Sequence, residues 1–267
     1  MMLLEVDTFS LSFRRYEGLL RQKRIFALHD ISFSLRHGQI LALVGASGAG
    51  KSLLAHALFG ILPPNASTTG TLRFEGETLD ETTLRTIRGR RIGLVPQSIS
   101  HLDPLVRCGH QLAWAAKRAG TRLDRAAITE RLARFALPAE VARAFPHQLS
   151  GGMARRLLLA MATVGHPALV VADEPTSGLD AENASMVMAQ LRGLADQGHG
   201  VLLITHDLTQ AAPYSDSVAV LDGGRLVAIE QSLRFRGTGE TLNSAYARAL
   251  WRALPQNAFY ASDDCHA

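Results

Sequence analysis

The stretch ILALVGASGAGKS, from Ile40 to Ser52, joins a short apolar run to a glycine-rich loop. The loop fits the pattern G-x-x-x-x-G-K-[ST], and its residues are Gly45, Ala46, Ser47, Gly48, Ala49, Gly50, Lys51 and Ser52. Glycine leaves room for backbone N–H groups to turn inward, so such a loop can surround phosphate groups. The segment SLLAHALFGIL that follows has a helical pattern. We therefore predict a strand, a phosphate-binding loop and a helix in succession.

The polar groups of this loop suit a nucleotide. The positive end of a helix that begins near Lys51 attracts phosphate. We expect Lys51 to reach the β- and γ-phosphates of a nucleotide, and Ser52 to offer its hydroxyl to Mg²⁺. A glycine-rich turn without a ligand is the alternative, but it does not account for the strand before the loop and the helix after it.

A second apolar run, ALVVADEP from Ala168 to Pro175, ends in two carboxylates. The carboxyl ends of parallel strands meet at one edge of a sheet, so this run should end beside the phosphate loop. There Asp173 could hold Mg²⁺ through water, and Glu174 could polarise an attacking water. A solvated strand end would also explain two adjacent acids, but the phosphate loop in the same chain favours the catalytic interpretation.

Further apolar runs of similar length predict an α/β fold. They are continuous and rich in β-branched residues, which is typical of buried parallel strands. Apolar residues at helical spacing lie between them, which predicts amphipathic helices. The strand-like runs are Ile40 to Val44, Ile92 to Val95, Ala168 to Ala172, Val201 to Thr205 and Val218 to Leu221, and the helical sets are Ile128, Leu132 and Phe135 together with Val187, Leu191 and Leu194.

The remaining segments suggest how one domain is organised. The N-terminal segments LLEVDTFSLSF and ISFSL alternate like antiparallel strands, and DGG at 222–224 predicts a turn between two more strands. From Ser98 to Leu149 only helical patterns and loops occur. We expect a single domain over 1–267. Its predicted parts are a nucleotide-binding core of 1–97 and 165–230, a helical subdomain of 98–164 and a C-terminal extension of 231–267.

Composition excludes several classes of protein. The 267 residues include 28 basic and 24 acidic side chains without a block of one sign, which disfavours nucleic acid as a partner. The two cysteines, Cys108 and Cys265, form no CxxC pair, which favours a reducing compartment. The acidic start does not resemble a secretory signal, and no apolar run approaches the roughly 18 residues of a membrane span. We expect a soluble, cytosolic chain.

Four further motifs follow the phosphate loop, and with the acidic strand they make the chain resemble the ATP-binding cassette (ABC) ATPases. The sequence LVPQS contains Gln97, and ITHD contains His206. The family signature is LSGGM, with Ser150, Gly151 and Gly152, and the loop SGLD after the acidic strand contains Asp180. The resemblance covers nearly the whole chain. It implies a P-loop NTPase core with a mainly parallel sheet, an N-terminal antiparallel β subdomain and an inserted helical subdomain that carries the signature.

The same resemblance implies roles for individual residues. It makes Gln97 a sensor and ligand of Mg²⁺ that also meets the attacking water, and it makes His206 a contact to the γ-phosphate. An aromatic side chain near the N-terminus should stack on adenine, either Phe13 or Tyr16, with Phe13 preferred. Asp180 is counted with the nucleotide-binding residues.

In cassette dimers of this family the signature of one protomer closes over the ATP held by the other. The resemblance therefore implies that Ser150, Gly151 and Gly152 hold a partner's γ-phosphate. SGGMARRLLLAM runs from glycines directly into a helical pattern, so the signature is itself a helix-start anion site.

Local features resemble one branch of the family, the importers of dipeptides, oligopeptides and nickel. Both QSISHLDPLVRCGHQL after Gln97 and AYARALWRALP near the C-terminus are similar to segments of that branch. Met153 resembles the nickel and metal-chelate ATPases. Arg155 is a departure, because the family usually has glutamine there. The tail lacks the cysteine cluster of many peptide-importer ATPases, so no iron–sulfur site is expected.

Sequence alone thus predicts the ATPase subunit of a membrane importer, at the cytoplasmic face of the membrane. Its implied partners are two transmembrane permease subunits, a paralogous ATPase or a second copy, and indirectly a solute-binding protein. Nickel or a metal chelate is the first expectation for the solute and short peptides the second. A cassette ATPase acting on DNA or ribosomes is the alternative, disfavoured by the absence of a long heptad insertion, and a P-loop kinase leaves LSGGM unexplained. The tail ASDDCHA, 261–267, is expected to be disordered.

Overall fold

A computed structural model describes residues 2–17, 21–254 and 257. The strands of this part of the chain are β1 (Met2–Glu17), β2 (Arg21–Arg36), β3 (Ile40–Gly45), β4 (Ala66–Phe74), β5 (Glu77–Thr78), β6 (Ile92–Val95), β7 (Leu169–Asp173), β8 (Gly200–Thr205), β9 (Ser217–Asp222) and β10 (Arg225–Gln231). The α-helices are α1 (Lys51–Leu58), α2 (Glu81–Ile87), α3 (Cys108–Ala119), α4 (Arg125–Arg134), α5 (Gly151–Ala162), α6 (Ala181–Asp196), α7 (Leu208–Ala211) and α8 (Ala245–Arg252). The predicted C-terminal tail from 261 lies outside the described residues.

All these strands join one sheet in the order β5-β4-β1-β2-β10-β9-β3-β8-β7-β6. The neighbours from β9 to β6 pair in parallel. These are the five apolar runs that the sequence predicts as parallel strands, and the prediction is confirmed. At the other end β1 pairs antiparallel with β2 and β4, as the alternating N-terminal pattern predicts. The turn at 222–224 joins β9 to β10.

The parallel strands are buried on both faces. In β3, Ile40, Ala42 and Val44 belong to one apolar cluster. Leu41 and Leu43 belong to a second cluster on the opposite face. A strand covered on both sides needs apolar residues at every position, which is why these runs are continuous and not alternating.

A buried arginine attaches the helical region to α5. Arg131 of α4 donates hydrogen bonds to the carbonyl oxygen of Ala160 from Nε (3.2 Å) and Nη2 (3.1 Å), and to Oγ1 of Thr163 from Nη2 (2.7 Å). Burial, and to a lesser degree the nearby Arg134, lowers the pKa of Arg131 to about 10. These bonds satisfy a carbonyl group at the C-terminal end of α5, where a cation is favourable. They fix the position of the helix that begins at the signature.

The helices in the described part of the chain are all too short or too polar to cross a bilayer.

Candidate active site

The phosphate loop connects β3 to α1 in a conformation that requires glycine. Gly48 and Gly50 have φ angles of 82° and 90°, in the left-handed region. A Cβ at Gly50 would lie 2.7 Å from Cδ2 of Leu28 and 2.8 Å from the carbonyl oxygen of Ala27. A Cβ at Gly48 would meet no atom within 4 Å, so this part of the loop faces open space. The helix begins at Lys51, as predicted.

An open cavity of about 440 Å³ lies over this loop. It is lined by Ser47, Gly48, Gly50, Lys51, Ser52, Leu53, Gln97, Glu174 and His206. These residues follow the ends of β3, β6, β7 and β8. The parallel sheet therefore brings together four sequence motifs that are far apart in the chain.

Lys51 is buried beneath the cavity. The residue is only 6% exposed, and Nζ donates to the carbonyl oxygens of Gly45 (2.7 Å) and Ala46 (3.0 Å). Burial lowers the pKa of Lys51, while attraction by Glu174 and Asp173 opposes that change. A largely desolvated ammonium group beside a glycine cradle fits a phosphate group well, because such a contact is strong where water is scarce.

Ser52 and Asp173 are joined across the sheet edge. Oγ of Ser52 donates to Oδ1 of Asp173 at 3.1 Å. Burial raises the pKa of Asp173, and the hydrogen bond from Ser52 acts in the opposite direction. A hydroxyl and a carboxylate oxygen are ligands that Mg²⁺ accepts, and Gln97 adds an amide oxygen at the cavity wall. The donor set fits a hard divalent ion that takes its other ligands from phosphate and water.

Glu174 is held by contacts to both its backbone and its side chain. Its backbone N–H donates to the carbonyl oxygen of Ile204 at 2.8 Å, and its φ of 47° is strained for a residue other than glycine. Nδ1 of His206 lies 2.9 Å from both carboxylate oxygens, and Oγ1 of Thr205 donates to Oε2 at 3.3 Å. The buried carboxylate thus has a fixed direction, whereas the side chain of His206 is 61% exposed and lies at the mouth of the cavity.

The signature residues lie at the start of α5. Oγ of Ser150 accepts a hydrogen bond from the N–H of Met153 at 3.2 Å, which caps the helix. Ser150 and Gly151 are exposed, and Gly152 is buried. None of the three is among the residues that line the cavity. One chain therefore presents a phosphate loop and a separate exposed helix start.

Two residues that the sequence predicts to contact the nucleotide, Asp180 and Phe13, lie away from the cavity lining. Asp180 caps α6 by accepting from the N–H of Asn183 at 2.8 Å, and it does not line the cavity. Phe13 is half-buried in β1 opposite Ile25, packs at the margin of the core, and does not line the cavity either. The side chain of Tyr16 lies outside the described residues. The adenine contact and the role of Asp180 stay predictions.

Sequence reasoning missed two residues near the site. Thr205 contacts Glu174, and its place directly before His206 in ITHD was the available signal. The guanidinium group of Arg155 lies within the electrostatic reach of Asp173 and Glu174. The sequence marked Arg155 only as a departure from the usual glutamine.

The chain matches the family described as ABC transporter over residues 28–177. An oligopeptide transport ATP-binding protein, OppD of Lactococcus lactis subsp. cremoris, is 34% identical over 278 residues, with 99% of this chain and 79% of that protein covered. A dipeptide transport ATP-binding protein, DppD of Bacillus subtilis, is 34% identical, with 85% and 70% covered. A solved dimer of the ATP-binding cassette MJ0796 with ADP and Pi has a TM-score of 0.74 at 24% identity and covers 88% of this chain and 100% of that one.

The chain therefore belongs to the ABC transporter ATPase family. The expected α/β fold, with a phosphate loop, parallel core strands and antiparallel N-terminal strands, is confirmed. The expected ATPase activity coupled to transport is confirmed by the family and its transport relatives. The transport relatives favour this interpretation over an ATPase of DNA or ribosomes.

The position of Glu174 generates a prediction. Glu174→Gln preserves shape but removes the base that would accept a proton from water, so ATP hydrolysis by the assembled transporter should fall by about 10²–10⁴-fold. ATP affinity of the purified chain should stay within about threefold of wild type, because Lys51 and the loop are unchanged. Steady-state phosphate release and an equilibrium ATP titration measure the two quantities. Glu182→Gln, an exposed change in the first turn of α6, is the matched control. Hydrolysis near the wild-type rate would exclude Glu174 as the base.

Proposed function

We propose that this chain is the ATP-hydrolysing subunit of an importer for short peptides. The observation that supports the mechanism is the single cavity that Lys51, Gln97, Glu174 and His206 share. The observation that supports the solute is that the relatives described above are named for oligopeptide and dipeptide transport. Nickel or a metal chelate, which the signature Met153 favoured at the level of sequence, is the second candidate.

In this proposal the phosphate loop binds the β- and γ-phosphates of ATP. The N–H groups from Gly45 to Ser52 and the start of α1 provide partial positive charge, and Lys51 provides a full charge. Ser52, Asp173 and Gln97 would hold Mg²⁺, directly or through water. The ion supplies neutralisation of phosphate charge when it is bound.

Hydrolysis then depends on Glu174 and His206. The carboxylate of Glu174 accepts a proton from the attacking water, and its backbone and side-chain contacts limit the directions in which it can point. His206 now bonds to Glu174, and its exposed imidazole would turn toward the γ-phosphate when ATP is bound. Gln97 would meet the same water and would report the state of the site to the rest of the transporter.

The proposed assembly contains two ATPase chains and two membrane permease subunits, and it receives solute from a binding protein outside the membrane. Ser150 and the N–H groups of Gly151 and Gly152 would hold the γ-phosphate on the partner ATPase, and Asp180 and Phe13 would complete the nucleotide contacts. The exposed, positively polarised start of α5 supports this assignment. The chain itself would lie at the cytoplasmic face of the membrane as a peripheral subunit.

The proposed division of the chain keeps the nucleotide-binding core at 1–97 and 165–230 and the helical signature subdomain at 98–164, followed by an extension from 231. Between β6 and β7 the described chain contains only helices, among them α3 and α4, short 3₁₀ turns and loops, and no strand. This supports the helical signature subdomain.

The solute is tested with the assembled transporter in proteoliposomes together with its solute-binding protein. We expect a short peptide to stimulate ATP hydrolysis severalfold above the solute-free rate, because the loaded binding protein promotes closure of the two ATPase chains. Ni²⁺ at the same concentration should have no such effect. Stimulation by Ni²⁺ or a nickel chelate alone would make the metal the solute.

The role of Ser150 in a partner's site gives a second prediction. Ser150→Arg places a bulky side chain at the start of α5, so hydrolysis at the partner's phosphate loop should fall at least tenfold. ATP affinity of the isolated chain should stay within about twofold, since its own loop is unchanged. Site-specific labelling of the two nucleotides measures each site, and Ser185→Arg on the exposed face of α6 is the control. Primary damage at this chain's own site would contradict the proposal.

A further inference from the structure

Arg155 lies in the second turn of α5, the helix that Ser150 caps. Its residue surface is only 7% exposed. Nη1 donates to the carbonyl oxygen of Pro96 at 3.0 Å, and Nη2 lies 3.5 Å from the carbonyl oxygen of Ser177. One guanidinium group therefore reaches from the signature helix to two loops.

Both loops belong to the chain's own ATP site. Pro96 directly precedes Gln97, which lines the cavity. Ser177 lies between Glu174 and Asp180, and its N–H donates to the carbonyl oxygen of Glu174 at 3.2 Å. A displacement of Arg155 would therefore shift the segments that position Gln97 and Glu174.

The first turn of α5 also packs closely against side chains of the loop that contains Ser177 and of the first turn of α6. A Cβ at Gly152 would lie 2.3 Å from Oδ1 of Asn183, and a Cβ at Gly151 would lie 3.6 Å from Cδ2 of Leu179. Asn183 in turn donates from Nδ2 to Asp180 at 2.8 Å. The helix start is therefore packed on the segment 177–183, and Arg155 extends this contact to the loop of Gln97.

The charge of Arg155 is suited to this position. Burial lowers its pKa, and attraction by Glu174 and Asp173 opposes the change. A buried cation without a partner is costly, but here carbonyl oxygens accept its N–H groups and two carboxylates lie near enough to attract it. The planar guanidinium fork can bond to two separate loops at once, which a lysine ammonium group does with less directional control.

We propose that Arg155 is a positioning residue that locks the Gln97 loop and the 177–180 loop to the signature helix. A displacement of the signature helix would then be transmitted to both loops. If the signature contacts a partner's ATP, as the proposed function holds, Arg155 couples that contact to hydrolysis in this chain. The coupling between the two sites rests on the proposed function. The clamp, meaning the hydrogen bonds from Arg155 to Pro96 and Ser177, is a property of the single chain.

Hydrogen exchange on the full-length purified chain tests the clamp. In Arg155→Met the backbone amides of 95–101 and 175–181 should exchange at least about fivefold faster than in wild type, and Arg155→Lys should restore part of the protection. The matched control is Arg156→Met. Arg156 is 8% exposed on the same helix, but its Nη1 bonds to Ala136 and its Nε to Gly152. Unchanged exchange in Arg155→Met, or an equal increase in Arg156→Met, would refute the clamp.

Steady-state kinetics of the assembled transporter test the consequence. Arg155→Met should lower kcat about tenfold and leave the KM for ATP within about twofold, because ATP contacts persist while the catalytic groups lose their alignment. Arg155→Lys should recover most of kcat. A raised KM at unchanged kcat would instead make Arg155 an ATP-binding residue and overturn the proposal. Failure of the wild-type assembly to hydrolyse ATP would contradict the proposed function, while the exchange result would still decide the clamp.

Discussion

The site depends on the register of the parallel strands. Val44 pairs with Thr205, and Asp173 pairs with Ile204, so β3, β7 and β8 end at the same height. The phosphate loop, Glu174 and His206 come immediately after these ends. A shift of one residue would turn every side chain of a strand to the other face of the sheet, and burial of both faces penalises it strongly. The apolar packing of the core therefore sets the distances between the groups that line the cavity.

Opposite charges at this edge lower the free-energy cost of burying one another. Lys51, Asp173 and Glu174 are each less than a tenth exposed, and burial of any one of them alone would be costly. Lys51 attracts both carboxylates and so offsets the repulsion between them, Ser52 bonds to Asp173, and Thr205 and His206 bond to Glu174. The resulting network is compact and preorganised. Bound ATP would add negative charge beside Lys51, and Mg²⁺ would offset that charge near Asp173.

Sequence predicted most of the fold and the chemical identity of the site. The continuous apolar runs predicted β3, β6, β7, β8 and β9 because strands buried on both faces leave that pattern, and the loop from Gly45 to Ser52 is a local motif that needs no tertiary information. The link from Arg155 to Pro96 could not be predicted, because it joins residues 59 apart and depends on how α5 packs. The strained backbone of Glu174 is likewise a product of tertiary contacts. The predicted stacking of Phe13 on adenine would need a bound nucleotide, and the predicted role of Ser150 would need a second protomer, so both stay predictions.

We expect ATP to bind at the common edge of the parallel strands, with Lys51 as its principal cation. An equilibrium titration of the purified chain with ATP and Mg²⁺ tests this claim most directly when wild type is compared with Lys51→Ala. Lys117→Ala, an exposed change on α3, is the control for loss of one positive charge. We expect Lys51→Ala to weaken binding at least tenfold, which corresponds to about 1.4 kcal/mol, and Lys117→Ala to leave it unchanged. Equal affinity of wild type and Lys51→Ala for ATP would exclude Lys51 as the principal cation of the ATP site.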